Sequence, residues 1–239
     1  MSLGTSTAQS AELVIYSTIS AKEALIELVP EFERTSGYKH KVNITYGGGS
    51  ELSKRISGGL QGDVFVGPEE FSGPLLKEGK LRDGSRVAFA RSTTGLAVRA
   101  GVPKPDISTP EKLKTVLLAA RAVSYSAGAS GMHFVNVIKQ LGIEAEVAAK
   151  RVMPKPGELV GAVVARGDAD IAVQQISELL PVPGIQILDP LPTALQQTIV
   201  YGTNVFAQSK QTEAATAFTK FLRAAPAQTV LRKMGLDPI

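Results

Sequence analysis

One pattern occurs twice in this chain at the same spacing, and it constrains the fold more than any other feature. In each copy a small residue begins a predicted helix, and an aspartate followed by three apolar residues comes 13 positions later. The first copy joins Ser50 to Asp63-Val-Phe-Val, and the second joins Gly157 to Asp170-Ile-Ala-Val. Short apolar strands that alternate with helices are typical of parallel sheets with right-handed crossovers. The sequence therefore predicts two α/β lobes built on one plan.

The segment before the first copy has the periodicities expected of such a lobe. Leu13–Tyr16 is a short apolar run that predicts a strand, and the apolar residues of Leu25–Phe32 recur at helical spacing. Ser20 and Glu23 form the S-x-x-E pattern of a capping box, so we expect Ser20 to begin and cap this helix. Gly37 is expected to end it.

Two long extended segments, near 87–99 and 198–206, divide the chain into its predicted lobes. If both segments cross between the lobes, the first lobe is discontinuous and the second is an insertion into it. We therefore expect lobe 1 to comprise residues 11–90 and 201–239, and lobe 2 to comprise residues 91–200. A helix over Ala214–Ala224 is expected to close the chain.

Composition excludes several classes of protein. Among the 239 residues there is no cysteine and there are two histidines, which excludes disulfides, thiolate metal sites and a His-rich metal site. No apolar run approaches the roughly 20 residues of a membrane span. The net charge is +4, but Lys and Arg are scattered among Asp and Glu, so we expect no nucleic-acid partner. The basic group Tyr38–Lys41 is interpreted as a solvated loop, and residues 1–10 as a tag or the remnant of a signal peptide.

The sequence contains no G-x-S-x-G, Walker, H-E-x-x-H or G-x-G-x-x-G motif, so catalysis is not expected. Instead, Ser20, Ser50, Ser130 and Gly157 each precede a predicted helix. Helix N-termini carry unpaired N–H groups and partial positive charge, and several that converge form an anion site. The alternative is that the serines only cap their own helices. His133, close behind Ser130, is either a ligand-facing residue or an ordinary buried or surface histidine.

Four segments resemble the periplasmic molybdate-binding protein family, the solute-binding subunits of ABC importers. The resemblance extends from Leu13 to the final Lys-Met-Gly-Leu, with the segments in the family's order and spacing. The segments are LVIYSTISAKEAL (13–25), ITYGGGSELSKRISGG with QGDVFV (44–66), SYSAGASGMHFVNVIKQLGI (124–143) and PGELVGAVVARGDADIAV (156–173). The resemblance implies a type II periplasmic-binding-protein fold, in which two lobes, each a mostly parallel sheet flanked by helices, are joined by two extended crossings and close on a ligand.

The resemblance also implies which residues bind the ligand. Family members hold a tetrahedral oxyanion with serine hydroxyls and backbone N–H groups at helix starts. Carried onto this sequence, the positions are Ser20, Gly49, Ser50, Ser130, the backbone of Leu159, and Gln174, to which we add His133. Gly48 and Gly49 stand where the family often has serines, and Gln174 stands where it has a tyrosine. These differences, together with His133, favour a larger organic anion such as a di- or tricarboxylate over molybdate.

The sequence thus predicts a monomeric, periplasmic solute-binding protein that captures a small anion and delivers it to an ABC transporter permease. No enzymatic activity, no cofactor and no protein-coordinated metal are expected. Two alternatives from other classes stay open: a serine-type hydrolase that uses the same cleft, and a cytoplasmic ligand-binding module of a regulator.

Overall fold

The structure of the protein is a computed structural model that describes residues 11–36 and 40–239. The predictions made for residues 1–10, for Gly37 as the end of the first helix and for the first part of the loop Tyr38–Lys41 lie outside the described residues. The loop prediction is wrong for His40 and Lys41, which begin a strand. Within the described ranges, no helix is long and apolar enough to cross a membrane.

Strands and helices alternate along most of the chain, as the repeated pattern predicts. The strands are β1 (Ala11–Thr18), β2 (His40–Gly47), β3 (Val64–Pro68), β4 (Val87–Arg99), β5 (Val123–Tyr125), β6 (Arg151–Val152), β7 (Ile171–Gln175), β8 (Ile185–Ile187), β9 (Thr198–Val205) and β10 (Asp237–Pro238). The helices are α1 (Lys22–Thr35), α2 (Gly49–Ser57), α3 (Glu69–Lys77), α4 (Pro110–Ala119), α5 (Ala129–Gln140), α6 (Glu144–Ala148), α7 (Val160–Ala165), α8 (Ile176–Leu179), α9 (Thr212–Leu222) and α10 (Ala225–Lys233). Two 3-10 turns span Ile19–Ala21 and Thr193–Leu195.

The strands form one path in the order β2-β1-β3-β9-β4-β7-β5-β6, with β8 and β10 also paired to β4. The outer groups β2-β1-β3 and β7-β5-β6 are parallel, and the central pairings with β9 and β4 are antiparallel. Strand β4 pairs with β9 through residues 87–93 and with β7 through residues 94–97. It therefore passes from one parallel group to the other, as the extended segment near 87–99 predicts. The two-lobed α/β fold is confirmed.

The hydrophobic cores follow the same division. The largest core of the first lobe combines residues from β1, α1, β3 and β4 with residues from β9, α9 and α10 near the end of the chain. In it the Phe32 ring meets Phe218 edge-on, with 5.2 Å between ring centroids. Burial of an aromatic side chain contributes about 1.5–3 kcal/mol, so this contact anchors the returning C-terminal helices on α1. The cores of the second lobe draw on residues between Leu96 and Leu195. The exact lobe boundaries stay predictions: residues 11–90 and 201–239 for lobe 1, and residues 91–200 for lobe 2.

The two repeated aspartates hold equivalent positions. The Val14 backbone N–H donates to Asp63 Oδ2 at 2.8 Å, and the Arg121 backbone N–H donates to Asp170 Oδ2 at 2.6 Å. Asp63 directly precedes β3, and Asp170 directly precedes β7. Each aspartate thus ties the start of a buried parallel strand to the backbone of another segment.

Three local predictions were wrong. Helix α1 begins at Lys22 with Ala21 as its N-cap and no side-chain cap, so Ser20 forms no capping box. Gly157 has a φ of +77° and lies in a turn, and α7 begins only at Val160. A positive φ suits a turn that contains glycine and does not continue into a helix. At the C-terminus, the expected closing helix is α9, and α10, which follows it, was not predicted.

Candidate binding cleft

A cavity of about 310 Å³, here called the cleft cavity, opens where the parallel strands of both lobes end. In open α/β sheets, ligands bind at the carboxyl ends of the strands, where helices begin. Strands β1, β2 and β3 reach this place from the first lobe, and β5, β6 and β7 from the second. The lining residues are Thr18–Ser20, Gly48–Glu51, Pro68, Phe71, Ser126–Ser130, Met153–Glu158, Gln174, Gln175 and Glu178.

Most of the predicted ligand-binding residues meet in this cavity. Ser20, Gly49, Ser50, Ser130 and Gln174 all line it, although they come from four different segments. Leu159 lies instead in an adjoining space of about 210 Å³, here called the side cavity. The two cavities share the residues Ile19, Gly48, Glu51, Gly157 and Glu178. His133 lines neither cavity.

The helix starts at the cleft lack side-chain caps. The N-cap residues of α1, α2 and α5 are Ala21, Gly48 and Gly128, and none of them accepts a hydrogen bond with a side chain. The first N–H groups of a helix have no partner inside the helix. Ser20 comes one residue before the N-cap of α1, and Ser50 and Ser130 come two residues after the N-caps of α2 and α5. The explanation that these serines only cap their helices is therefore wrong. The three serines line the cleft cavity beside these uncapped helix starts, whose N–H groups are of the kind that bind anions.

Gly48 and Gly49 differ sharply in their surroundings. A Cβ atom on Gly49 would overlap the ring of Phe71, a buried residue of α3, whereas a Cβ on Gly48 would meet no atom within 4 Å. Glycine is therefore required at position 49 so that Phe71 can pack under the start of α2. At position 48 the chain leaves open space beside the cleft.

Gln174 is held in one orientation by the backbone. Its side-chain Oε1 accepts a hydrogen bond of 2.9 Å from the Val160 N–H, and the residue is only 4% exposed. The carbonyl oxygen of Gln174 thus caps α7. The amide nitrogen remains free to donate a hydrogen bond to the Glu178 carboxylate. The backbone thus engages the Gln174 carbonyl oxygen, and the role of Gln174 in ligand binding stays a prediction.

Several buried polar atoms around the two cavities have no hydrogen-bond partner among the described residues. They include Thr18 Oγ1 and both side-chain polar atoms of Gln175 in the cleft cavity, and Ser177 Oγ in the side cavity. The exposed fractions of these three residues are 2%, 1% and 3%. An unpaired buried polar group costs roughly 1–3 kcal/mol. Their grouping at a cavity indicates that a polar ligand completes them.

Glu178 is one of two ionisable residues that the two cavities share, the other being Glu51. Glu178 is the third residue of α8. The Gln175 backbone N–H donates a hydrogen bond to the Glu178 carboxylate, as in a capping box. Burial raises the pKa of Glu178 to about 7, and the donors from Gln175 and Gln174 offset only part of this rise. Both the acid and the carboxylate are therefore populated near neutral pH.

Tyr201 of β9 lies close to this group from the first lobe. Burial raises the pKa of Tyr201, and the nearby charge of Glu178 raises it further. The Ser20 side chain is near enough to reduce this shift, but the Tyr201 hydroxyl has no partner in hydrogen-bond geometry among the described residues. Ser20, Glu178 and Tyr201 thus form a polar group between the lobes.

His133 has a different role from the one expected. Its Nε2 lies 2.9 Å from the Leu195 carbonyl oxygen, and its Nδ1 lies 2.9 Å from Thr94 Oγ1. A carbonyl only accepts, so Nε2 carries the proton and Nδ1 accepts from the threonine hydroxyl. Burial lowers the pKa of His133, although the Leu195 carbonyl opposes that shift, and the ring is buried in its neutral form. His133 joins α5 to β4 and to the segment before β9, and its hydrogen-bond partners among the described residues include no serine.

Sequence reasoning missed Thr18, Gln175, Ser177 and Glu178. The signal was present, because Gln174-Gln175 and Ser177-Glu178 follow directly on the buried Ile171–Val173. Polar residues at the carboxyl end of a parallel strand are placed where ligands bind. No group of three His, Asp or Glu side chains in residues 11–36 and 40–239 is arranged to hold a metal ion.

Comparison with known proteins gives one family and one fold. A sequence profile described as bacterial extracellular solute-binding protein matches residues 13–237. An aconitate isomerase from Pseudomonas sp is 32% identical over 231 residues, which are 95% of this chain and 88% of that relative. The molybdate-binding protein ModA of Mycobacterium tuberculosis H37Rv is 24% identical over 93% of this chain and 83% of its own.

The fold is that of known periplasmic binding proteins. The solved structure of the Azotobacter vinelandii periplasmic molybdate-binding protein matches with a TM-score of 0.77 at 20% identity, and covers 94% of this chain and 98% of that chain. At this identity the likeness establishes the two-lobed architecture.

Proposed function

Because the chain belongs to the family of bacterial extracellular solute-binding proteins, we propose that it binds a small organic polycarboxylate in the cleft between its two lobes. The ligand lies across the cleft cavity and the side cavity. Delivery to the membrane permease of an ABC importer, and a periplasmic location, are parts of the same proposal. Cell fractionation of the native host, with a cytoplasmic marker as the reference, tests the location.

The observation that carries this proposal is the spread of unpartnered polar groups. Thr18 and Gln175 line the cleft cavity, Ser177 lines the side cavity, and Glu178 lies at their junction. A tetrahedral oxyanion needs donors that converge on one point, whereas these groups surround two connected spaces. The cleft cavity alone has a volume of about 310 Å³, which falls in the range of roughly 300–1,000 Å³ found for small-molecule sites. A ligand with several separated acidic groups uses this space better than a five-atom oxyanion.

The negative charge of such a ligand is stabilised mainly by backbone N–H groups. The uncapped starts of α2 and α5 direct N–H groups toward one end of the cleft cavity, next to Ser50 and Ser130. Glu178, where the cleft cavity meets the side cavity, has a pKa of about 7, so its carboxyl group is partly protonated at neutral pH and repels the ligand less than a fully ionised carboxylate would. Lys155, an exposed residue of the cavity rim, adds a positive charge.

Ligand capture involves rotation of the lobes about the two chain crossings. β4 is shared by both sheets, and its residues 87–94 and the β9 residues 198–204 are extended segments that absorb small changes in φ and ψ. His133 lies beside both crossings through Thr94 and Leu195. Small-angle scattering with and without saturating ligand measures the change in radius of gyration. An unchanged radius from an apo form shown to be open contradicts this part of the proposal.

Titration calorimetry tests the ligand class. The panel consists of molybdate, tungstate, sulfate, succinate, citrate and trans-aconitate at pH 7. We expect micromolar or tighter binding of a tricarboxylate and at least 100-fold weaker binding of molybdate. Submicromolar molybdate binding with no heat from any carboxylate overturns the proposal and favours an oxyanion carrier.

A second candidate function is catalysis on the bound ligand. The relative at 32% identity is named an aconitate isomerase, and aconitate is an unsaturated tricarboxylate. Glu178, a cavity carboxylate that titrates near neutral pH, favours this candidate. A serine hydrolase has no such support, because Thr94 and Leu195 occupy both ring nitrogens of His133.

A further inference from the structure

We propose that Glu178 is a catalytic residue that removes a proton from one carbon of a bound unsaturated polycarboxylate and returns it to another carbon of the same ligand. This inference rests on the proposed function, because it requires a polycarboxylate in the cleft. It goes further by assigning to the cleft a reaction, the isomerisation of a double bond, and a residue that performs it.

The position of Glu178 is the first argument. Its side chain lies where the cleft cavity and the side cavity meet, so it reaches the middle of a ligand that extends across both. Carboxylate groups bound at the two ends would place the carbon chain beside it. A group that only stabilised α8 would have no need to line both spaces.

The second argument is that no cation neutralises this carboxylate. Among the ion pairs of the described residues, none involves Glu178. Its donors are the Gln175 backbone and the Gln174 amide, both neutral. The ionisable groups around it on neighbouring elements are Lys22 and Glu23 of α1, Tyr46 of β2, Glu51 of α2 and Tyr201 of β9. Burial without a cation keeps a carboxylate basic enough to accept a proton from carbon.

The third argument is orientation. The Gln174 Oε1 is fixed by the Val160 N–H at 2.9 Å, so its amide nitrogen remains beside Glu178. Gln174 is thus a positioning residue, which holds the carboxylate toward the cavity. The unpaired Tyr201 hydroxyl lies on the other side, close to Ser20.

The proposed step conserves all atoms and electrons. The Glu178 carboxylate takes a proton from a CH₂ carbon that lies between a ligand carboxylate and the double bond. The electron pair of that C–H bond forms a new double bond, and the former double-bond electrons move onto the adjacent carboxylate as an enolate. The uncapped N–H groups of the helix starts stabilise this added negative charge. The protonated Glu178 then returns the proton to the far carbon of the former double bond, and no oxidant, reductant or co-reactant is consumed.

Proton NMR in D₂O with trans-aconitate as the probe tests this inference. We expect the wild-type protein to incorporate deuterium into the probe and to form a second isomer. Glu178→Gln should reduce the rate at least 100-fold while calorimetry still detects binding of the probe. Glu146→Gln, at an exposed position of α6, is the matched control and should leave the rate unchanged. The wild-type kcat/KM should rise with pH and level off above about 7.

The outcomes separate the two proposals. Failure of every carboxylate to bind the wild-type protein overturns the proposed function. Binding with neither a second isomer nor deuterium incorporation overturns only the inference about catalysis. Full exchange by a folded Glu178→Gln variant shows that another group moves the proton. If circular dichroism finds that variant unfolded, Glu178→Asp replaces it, with a rate loss of at least tenfold expected and an unchanged rate contradicting the assignment.

Discussion

The Oε1 atom of Gln174 accepts a hydrogen bond of 2.9 Å from the backbone N–H of Val160, which joins the end of β7 to the start of α7. This one contact has two effects. It caps a helix start that has no other side-chain cap, and it turns the Gln174 amide nitrogen toward Glu178. Stability and the geometry of the cleft are therefore coupled through Gln174.

Gln174→Leu should lower the free energy of unfolding by about 1–3 kcal/mol, because the buried Val160 N–H loses its acceptor. It should also raise the pKa of Glu178, since a neutral donor to the carboxylate is removed. Urea denaturation measures the first effect. Gln61→Leu, at an exposed loop position, is the control and should change stability by less than about 0.5 kcal/mol. Equal losses in the two variants contradict the importance of the contact with Val160.

Gly49→Ala should destabilise the protein by about 1–3 kcal/mol, because the new methyl group overlaps the buried Phe71 ring. It should also weaken ligand binding, since α2 must shift away from the cleft. Gly48→Ala is the matched control, because its φ of −63° suits alanine and its Cβ meets open space. Thermal unfolding of both variants measures the difference, and similar melting temperatures are inconsistent with a fixed Phe71.

Ser20→Ala and Ser130→Ala should each weaken polycarboxylate binding by about ten- to a hundredfold. A hydrogen bond to a charged group contributes roughly 1.5–3 kcal/mol, and these hydroxyls are not used for capping. Ser50→Ala should have a similar effect, whereas Ser57→Ala, at the other end of α2, should bind like the wild type. Calorimetry decides between these outcomes. Wild-type affinity in all three cleft variants would place the ligand elsewhere.

Glu178 should make the ligand-free protein less stable as the pH rises. Its pKa is about 7 in the folded state against an ordinary value of 4.5, so the folded state retains a proton that the unfolded chain releases. The contribution of protonated Glu178 to the free energy of unfolding is complete below pH 4.5, and it is lost as the pH rises through about 7. Urea denaturation at several pH values should give this slope in the wild type relative to Glu178→Gln. A difference that is constant across this range contradicts the raised pKa.

His133 should produce the opposite slope. Its pKa is lowered from the ordinary 6.5 by burial, so the unfolded chain takes up a proton that the folded state does not. Its contribution is present above pH 6.5 and is lost as the pH falls below that value. His133→Leu should cost about 1–3 kcal/mol at pH 7.5 through its two lost hydrogen bonds, and less at pH 5.5. Met132→Ala, an exposed position on the same helix, is the control, and a cost that does not change with pH contradicts the assignment.

The sequence by itself determined the architecture. Apolar runs such as Leu13–Tyr16 and the repeated Asp63 and Asp170 segments predict the parallel strands, because buried strands must be apolar along their whole length. The long apolar-rich segment 87–99 predicts the crossing, and glycine- and serine-rich turns predict the helix starts. These are local patterns, so they can be read without knowing which segments are neighbours.

Only the tertiary structure decided what each polar side chain does. Ser20 and Glu23 have the spacing of a capping box, yet the chain forms a 3-10 turn there and leaves the serine uncommitted. His133 lies near the start of the cleft helix α5, but Thr94 and Leu195 are brought to it from 39 and 62 positions away. Glu178 looks like an ordinary helix residue until burial between the lobes raises its pKa. The partners, burial and charge of a side chain come from segments distant in sequence, and these properties determine its chemistry.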